Sequence, residues 1–283
     1  MTNRIKNAHG RIATKFVELR ARDEAALIPF IVAGDPDLDR TRQLVIELEA
    51  RGADLIELGV PFSDPMADGP ANQRASARGL SAGATIPAIL SMVADLRRTT
   101  QIPLILFGYY NPIFHYGCDR LAADAARAGI DGMLVVDLPP EEAEELARPA
   151  RAAGLDIIYL LAPTTPLERS RVIARSASGF LYYVSVAGVT GARTSLAHDL
   201  QANVRDLRTV TTLPIGVGFG ISTPEQAREV ACFSDAVVVG SAISQLIETH
   251  AHSDRLVETV GEFAGALKDA IRTARHDGAI ATA

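Results

Sequence analysis

Cysteine is scarce in this chain. Two occur in 283 residues, Cys118 and Cys232, far apart and outside any CxxC spacing. That excludes a disulfide framework and argues against a cysteine-based zinc site. Long apolar runs are missing as well. No stretch of about 18 apolar residues occurs, and the opening MTNRIKNAHGRIATKFVELR has no apolar h-region. Neither a membrane span nor a signal peptide is supported, and the cytoplasm is the expected location. An excess of positive charge is also absent: Lys+Arg number 28 against 34 Asp+Glu, for a formal net charge of -6. General nucleic-acid affinity needs a basic face that displaces counterions, so that class is disfavoured. One small phosphate site stays compatible with an acidic protein, because backbone N–H groups can hold an anion. No Ser-His-Asp, HExxH or Walker A pattern is present. The histidines are scattered, and the HxH of His250 and His252 lacks a third ligand nearby. It reads as a solvated helix end rather than a metal site.

What the sequence does hold is a recurring short apolar run. The runs are LIPFIVA (27–33), ADLIELG (53–59), IPLILFGY (102–109), GMLVVD (132–137), DIIYLLA (156–162), FLYYVS (180–185), PIGVGFG (214–220) and AVVVGSAI (236–243). Each reads as a strand buried on both faces. Amphipathic stretches of helical length lie between them, such as 39–52, 140–154 and 223–233. Hydrophobic residues make up 48% of the chain, enough for one large core. A βα unit repeated eight times implies a parallel sheet with helices outside it. The expected fold is an α/β (β/α)8 TIM barrel, one domain over 1–275, with an open doubly wound sheet as the alternative. Residues 3–20 read as an extra N-terminal helix closing the barrel bottom, and 276–283 as a frayed tail. Gly52, Gly129 and Gly154 stand where left-handed C′ residues belong. Ser222 with Glu225 and Thr223 with Gln226 offer overlapping capping boxes.

Two connections are long: 60–80 after the second strand and 186–199 after the sixth. Both leave from the C-terminal face, where barrel active sites lie. Alternation in ADLIELG puts Glu57 on the face opposite Ile56 and Leu58. The Glu57 face points either into the barrel or against the helices. A carboxylate in either place is costly unless paired or used, and if it points inward its apolar neighbours would raise its pKa toward neutrality. It is either an acid/base group or a rim ion pair. Asp68, like Ser63 and Asp64, sits in a loop shaped by Pro and Gly and by pattern alone reads as a turn-former ahead of a catalyst. GVGFGISTPE (216–225) and VVGSAIS (238–244) each end a strand and open a helix, a phosphate cradle to which Ser241 can add a hydroxyl. The same glycines can instead serve strand–helix packing. GVTGAR (188–193) suits a mobile lid. Phe30, Phe107, Tyr109 and Tyr182 as a set can line a pocket for a flat ring.

The loop text carries more than its periodicity. LIELGVPFSDPMADGPANQ (55–73) closely resembles the signature segment of tryptophan synthase alpha chains. IPFIVAGDPD (28–37), GYYNPIF (108–114), VVDLPPEE (135–142), SVAGVTGAR (185–193) and GVGFGIS (216–222) are similar to further family segments, in order. The resemblance implies retro-aldol cleavage of indole-3-glycerol phosphate to indole and glyceraldehyde 3-phosphate. By motif, Glu57 matches the family's acid/base glutamate and Asp68 the aspartate that meets the indole N–H. Gly191, Gly220, Gly240 and Ser241 match the phosphate ligands, and Thr190 the lid threonine. Phe30, Tyr109, Leu134 and Tyr182 match positions around the indole or the glutamate. Phe219 joins the substrate-contacting positions, and Asp137 matches an aspartate at the floor of the site. The resemblance further implies a beta chain partner in an alpha2beta2 heterotetramer. Pyridoxal phosphate would reside in that partner, with no cofactor or metal in this chain. A stand-alone lyase releasing indole, and a barrel that only activates a partner, are the alternatives.

Overall fold

The computed structural model describes residues 10–184, 193–218 and 220–278. Among them the strands are β1 Ala26–Val32, β2 Ile56–Gly59, β3 Leu104–Gly108, β4 Gly132–Val135, β5 Asp156–Leu161, β6 Leu181–Val184, β7 Ile215–Gly218 and β8 Ala236–Val239. The helices are α1 Arg11–Ala21, α2 Leu38–Ala50, α3 Pro70–Ser81, α4 Ile86–Leu96, α5 Tyr110–Tyr116, α6 Cys118–Ala128, α7 Glu144–Ala152, α8 Leu167–Ser176, α9 Arg193–Leu207, α10 Pro224–Ala231, α11 Ser241–His250 and α12 Leu256–Gly278. Each strand pairs in parallel with the next, and β8 pairs with β1, so the sheet is a closed barrel rather than an open one. No single described helix is long and apolar enough to cross a membrane.

Strand alternation sorts the side chains into two cores. Leu55, Ile105, Leu134, Ile158, Phe180 and Tyr182 pack together inside the barrel. Ile56, Leu58, Leu104 and Leu106 point outward into the layer beneath the helices. The expected bottom helix is present as α1. Its Ile12, Phe16 and Leu19 join the inner cluster, and the Phe16 and Phe180 rings lie 5.8 Å apart. The helix begins at Arg11 and ends at Ala21, one residue past the expected end. Gly52, Gly129 and Gly154 all have positive φ, 97°, 97° and 83°, at helix ends that no L side chain would favour.

Three boundaries differ from the sequence expectation. Residues 70–81, read as part of a long connection, form α3, which starts on an extended Gly69 with Pro70 in its first turn. Proline there has its φ preset and no N–H to leave unpaired. A short α5 follows β3 where only a loop motif was visible. Finally, while 279–283 of the tail lie outside the described residues, α12 runs to Gly278, past the expected domain end at 275. Its partner contacts with α2 and α10 hold it along the barrel wall.

α12 also supplies a buried cation. Lys268 is almost fully buried and its Nζ lies 2.6 Å from Asp54 Oδ2, with Glu24 as a second carboxylate partner. Asp54 in turn accepts the Leu27 N–H at 2.9 Å, so the pair pins α12 to the entry of β1 and β2. Removing one member strands a buried charge. Lys268→Ala is therefore expected to lose about 3–5 kcal/mol in urea unfolding. A loss under about 1 kcal/mol, the range of a surface pair, would contradict this.

Candidate active site

The candidate site is built from β1, β2, β3, β4, β6, β7 and β8 and the loops that follow them. Register places Glu57 between Phe30 of β1 and Ile105 of β3. Its side chain faces the barrel interior, is fully buried, and has no hydrogen-bond partner for either oxygen among the described residues. Loss of hydration without compensating donors disfavours the carboxylate form. Burial pushes the Glu57 pKa up from 4.5 to about 8. A carboxyl that is protonated near neutrality yet ionises readily can give and take a proton.

Aromatic rings wall this group in. Phe30 packs edge to face on Phe107, with ring centres 4.9 Å apart. The Phe30 ring fits only because β2 ends in Gly59. A Cβ there would come within 2.8 Å of Phe30 Cζ. Tyr182 reaches across from β6, and its hydroxyl fills the space a Cβ on Gly218 would need. Burial raises the Tyr182 pKa well above its ordinary value, and the negative charges of Glu57 and Asp68 raise it further. Leu134 is fully buried in the inner cluster. Two glycines of GVGFG thus serve ring packing, since Gly216 abuts Phe180 just as Gly218 abuts Tyr182.

Asp68 stands at the rim, in the loop between β2 and α3. The Tyr109 hydroxyl donates to its Oδ2 at 2.8 Å and itself accepts the Ala67 N–H at 3.1 Å. Phe62 packs on the Tyr109 ring at 5.4 Å. Gln73 donates to the Asp68 carbonyl at 2.9 Å, which closes the loop onto the first turn of α3. Burial raises the Asp68 pKa, and hydrogen bonding from Tyr109 and Asn72 offsets part of that. Aspartate is therefore held in place by donors and poised to accept another from a ligand.

On the opposite side, β7 and β8 are neighbours and both open toward helix N-termini. Gly240 precedes α11 directly, and Ser241 is its first residue. Gly220 takes a positive φ of 75°. Thr223 caps α10 by accepting the Gln226 N–H, and Gln226 reaches back to the Ser222 N–H at 2.8 Å. A helix N-terminus with free N–H groups and a hydroxyl suits a phosphate.

The β/α barrel agrees with a family comparison. The model of the family "tryptophan synthase alpha chain" matches residues 16–272. This chain belongs to that family. The tryptophan synthase alpha chain of Geobacter sulfurreducens is 53% identical over 261 residues, which are 92% of this chain and 98% of that one. That of Gloeobacter violaceus is 50% identical over 265 residues, 93% of this chain and 96% of the other. The crystal structure of tryptophan synthase subunit alpha from Legionella pneumophila str. Paris superposes with a TM-score of 0.87 at 41% identity, covering 94% of this chain and 100% of that chain. A tryptophan synthase structure from Mycobacterium tuberculosis gives a TM-score of 0.84 at 33% identity, covering 93% and 98%. A tryptophan synthase alpha chain is an enzyme subunit.

Of the positions singled out by resemblance to the tryptophan synthase alpha family, Phe30, Glu57, Leu134 and Tyr182 lie within the barrel mouth. Asp68 and Tyr109 are bonded to each other at its rim. Gly220, Gly240 and Ser241 lie at the ends of the two adjoining strands. Thr190, Gly191 and Phe219 lie outside the described residues, as does the loop 185–192. One placement needs correction. Asp137 is exposed in the turn beyond β4, where its Oδ1 accepts the Tyr110 N–H at 2.7 Å, so it fixes the start of α5 rather than flooring the site. Asn72 and Gly218 were not singled out for these contacts. Gly218 was visible only as part of a glycine run, and nothing in the sequence tied it to Tyr182. No cluster of His, Cys, Asp and Glu suited to a metal occurs among the described residues.

Proposed function

We propose that this chain cleaves indole-3-glycerol phosphate to indole and glyceraldehyde 3-phosphate. The observation that carries the reading is Glu57: a buried carboxyl without a described partner, raised to about 8, at the strand end of a barrel mouth walled by aromatic rings. Cleaving the bond between indole C3 and the glycerol chain needs C3 protonated and the adjacent hydroxyl deprotonated. Protonated Glu57 gives its proton to C3, leaving a positive charge that the ring nitrogen shares. As carboxylate it then takes the hydroxyl proton. The O–H electron pair becomes the aldehyde C=O, the carbon–carbon bond breaks, and its pair restores the aromatic ring. Glu57 ends in the form in which it began. Asp68 accepts the indole N–H, and its negative charge stabilises the cation as it forms. Tyr109 holds Asp68 in that position. Phe30, Leu134 and Tyr182 supply apolar walls for the flat ring.

The phosphate is assigned to Gly220, which follows β7, and to Gly240 and Ser241 at the start of α11. Thr190, Gly191 and Phe219 complete the substrate set by resemblance. Ser241→Ala is expected to raise KM roughly tenfold, the loss of one hydrogen bond to a charged group, with kcat nearly unchanged. An unchanged KM would remove Ser241 from the phosphate site.

The family name implies a beta chain, and the catalytic rim offers a surface for one. Met66, in the loop that carries Asp68, is 90% exposed, and Phe114, on the α5 helix that follows Tyr109, is 54% exposed. We place a beta chain there, in an alpha2beta2 assembly in the cytoplasm, with pyridoxal phosphate held by that partner and indole passed to it. The test is to mix the purified chain with indole-3-glycerol phosphate, with and without a beta chain. Indole formation that rises when the beta chain is added is expected. No indole in either case would overturn the enzyme reading, and cleavage indifferent to the beta chain would overturn the partnership.

A further inference from the structure

Asp68 and the phosphate helix belong to different βα units, yet a polar chain joins them. Asn72 lies in the first turn of α3, four residues after Asp68, and its amide faces the Asp68 carboxylate. The Ser244 hydroxyl, in the first turn of α11, donates to Asn72 Oδ1 at 2.9 Å. Ser244 is buried and Asn72 half-buried. This bond fixes which end of the amide points where. Oδ1 is occupied by the serine donor, so the NH2 end is the one turned to the carboxylate. A second clamp runs parallel one turn further along. Arg74 grips Glu248 of α11 through two bonds of 2.7 Å. Arg78 meets the same carboxylate at 3.0 Å and the buried Asp35 at 2.7 and 2.8 Å. α3 and α11 are thereby tied along their length.

We propose that Asn72 and Ser244 form a positioning relay that sets Asp68 according to where the start of α11 sits, and so couples the grip on the substrate phosphate to the group that meets the indole nitrogen. The proposal rests on the roles given above to Asp68 and to the start of α11. A phosphate drawn onto Gly240 and Ser241 bears on α11, Ser244 sits three residues along that helix from Ser241, and Asn72 transmits its position to the carboxylate. Neither residue touches the reacting atoms. Both act through Asp68.

The relay has a kinetic signature distinct from lost folding. Asn72→Leu keeps the shape and cannot donate, and Ser244→Ala frees the amide to turn. Each is expected to lower kcat for indole-3-glycerol phosphate cleavage roughly ten- to hundredfold, the range for a misplaced catalytic group. KM should change less than about threefold, since the phosphate grip on Ser241 is intact. The double variant should be no slower than Asn72→Leu alone, because both break one path. Thermal unfolding of each variant, run alongside, identifies any that fails to fold. Ser244→Ala, which only removes an oxygen, then decides the question alone. Wild-type kcat in a folded Ser244→Ala, or losses that multiply in the double variant, would overturn the relay. Asp68→Asn measured in the same assay separates the two readings. If it is inactive while Asn72→Leu is wild type, the relay alone falls. If it is fully active, the role of Asp68 falls and takes the relay with it.

Discussion

Glu57→Gln is expected to fold normally and to cleave indole-3-glycerol phosphate slower by roughly two to four decades, the usual worth of a positioned acid/base group. Glutamine keeps the shape and polarity of the side chain but can neither give nor regain the proton. Single-turnover indole formation measures this directly, and a wild-type rate would refute the role. The same variant has an opposite effect on stability. The unfolded chain ionises Glu57 near its ordinary value of 4.5, whereas the folded chain holds the proton to about 8. Between those values the folded state binds the extra proton, so its advantage is complete at lower pH and is lost as pH rises through about 8. Glutamine has no proton to lose. Urea unfolding should therefore find Glu57→Gln more stable than the wild type at about pH 9, by several kcal/mol, with the gap closing toward about pH 5. Parallel pH dependence in the two proteins would show that Glu57 is not held protonated.

Asp68→Asn tests charge rather than shape. The asparagine oxygen can still accept the Tyr109 hydroxyl and an indole N–H, so the loop geometry should survive. What disappears is the negative charge facing the forming cation. The loss is expected in kcat, roughly two to three decades, with KM little altered. A large rise in KM at unchanged kcat would instead make Asp68 a plain binding residue.

How much of this was legible without coordinates differs by link. Alternation set Glu57 on the face opposite Ile56 and Leu58, because parity along a strand needs no partner. Which face looks into the barrel is decided only by the closed sheet, where Ile56 and Leu58 pack in the outer layer. The apolar content of the surrounding runs also implied the raised pKa. The eight-unit pattern implied the barrel, and closure followed as β8 meeting β1. α3 was missed because its polar, glycine-interrupted text has weak periodicity. Its start is marked only by Gly69 and Pro70, which read equally well as a turn. The Asn72–Ser244 bond and the Arg78–Asp35 pair join residues distant in sequence. Such pairings depend on how the barrel closes, which no local pattern encodes. The contact of Gly218 with Tyr182 was invisible for the same reason: the ring it accommodates comes from β6.

The carboxyl of Glu57 can be watched without any substrate. Difference infrared spectroscopy, wild type minus Glu57→Gln, isolates its protonated C=O stretch across a pH titration. The expected result is a carboxylic acid still protonated at neutral pH, titrating with a midpoint near 8. A midpoint near 4.5, the ordinary glutamate value, would contradict the account of Glu57 as the proton donor to carbon.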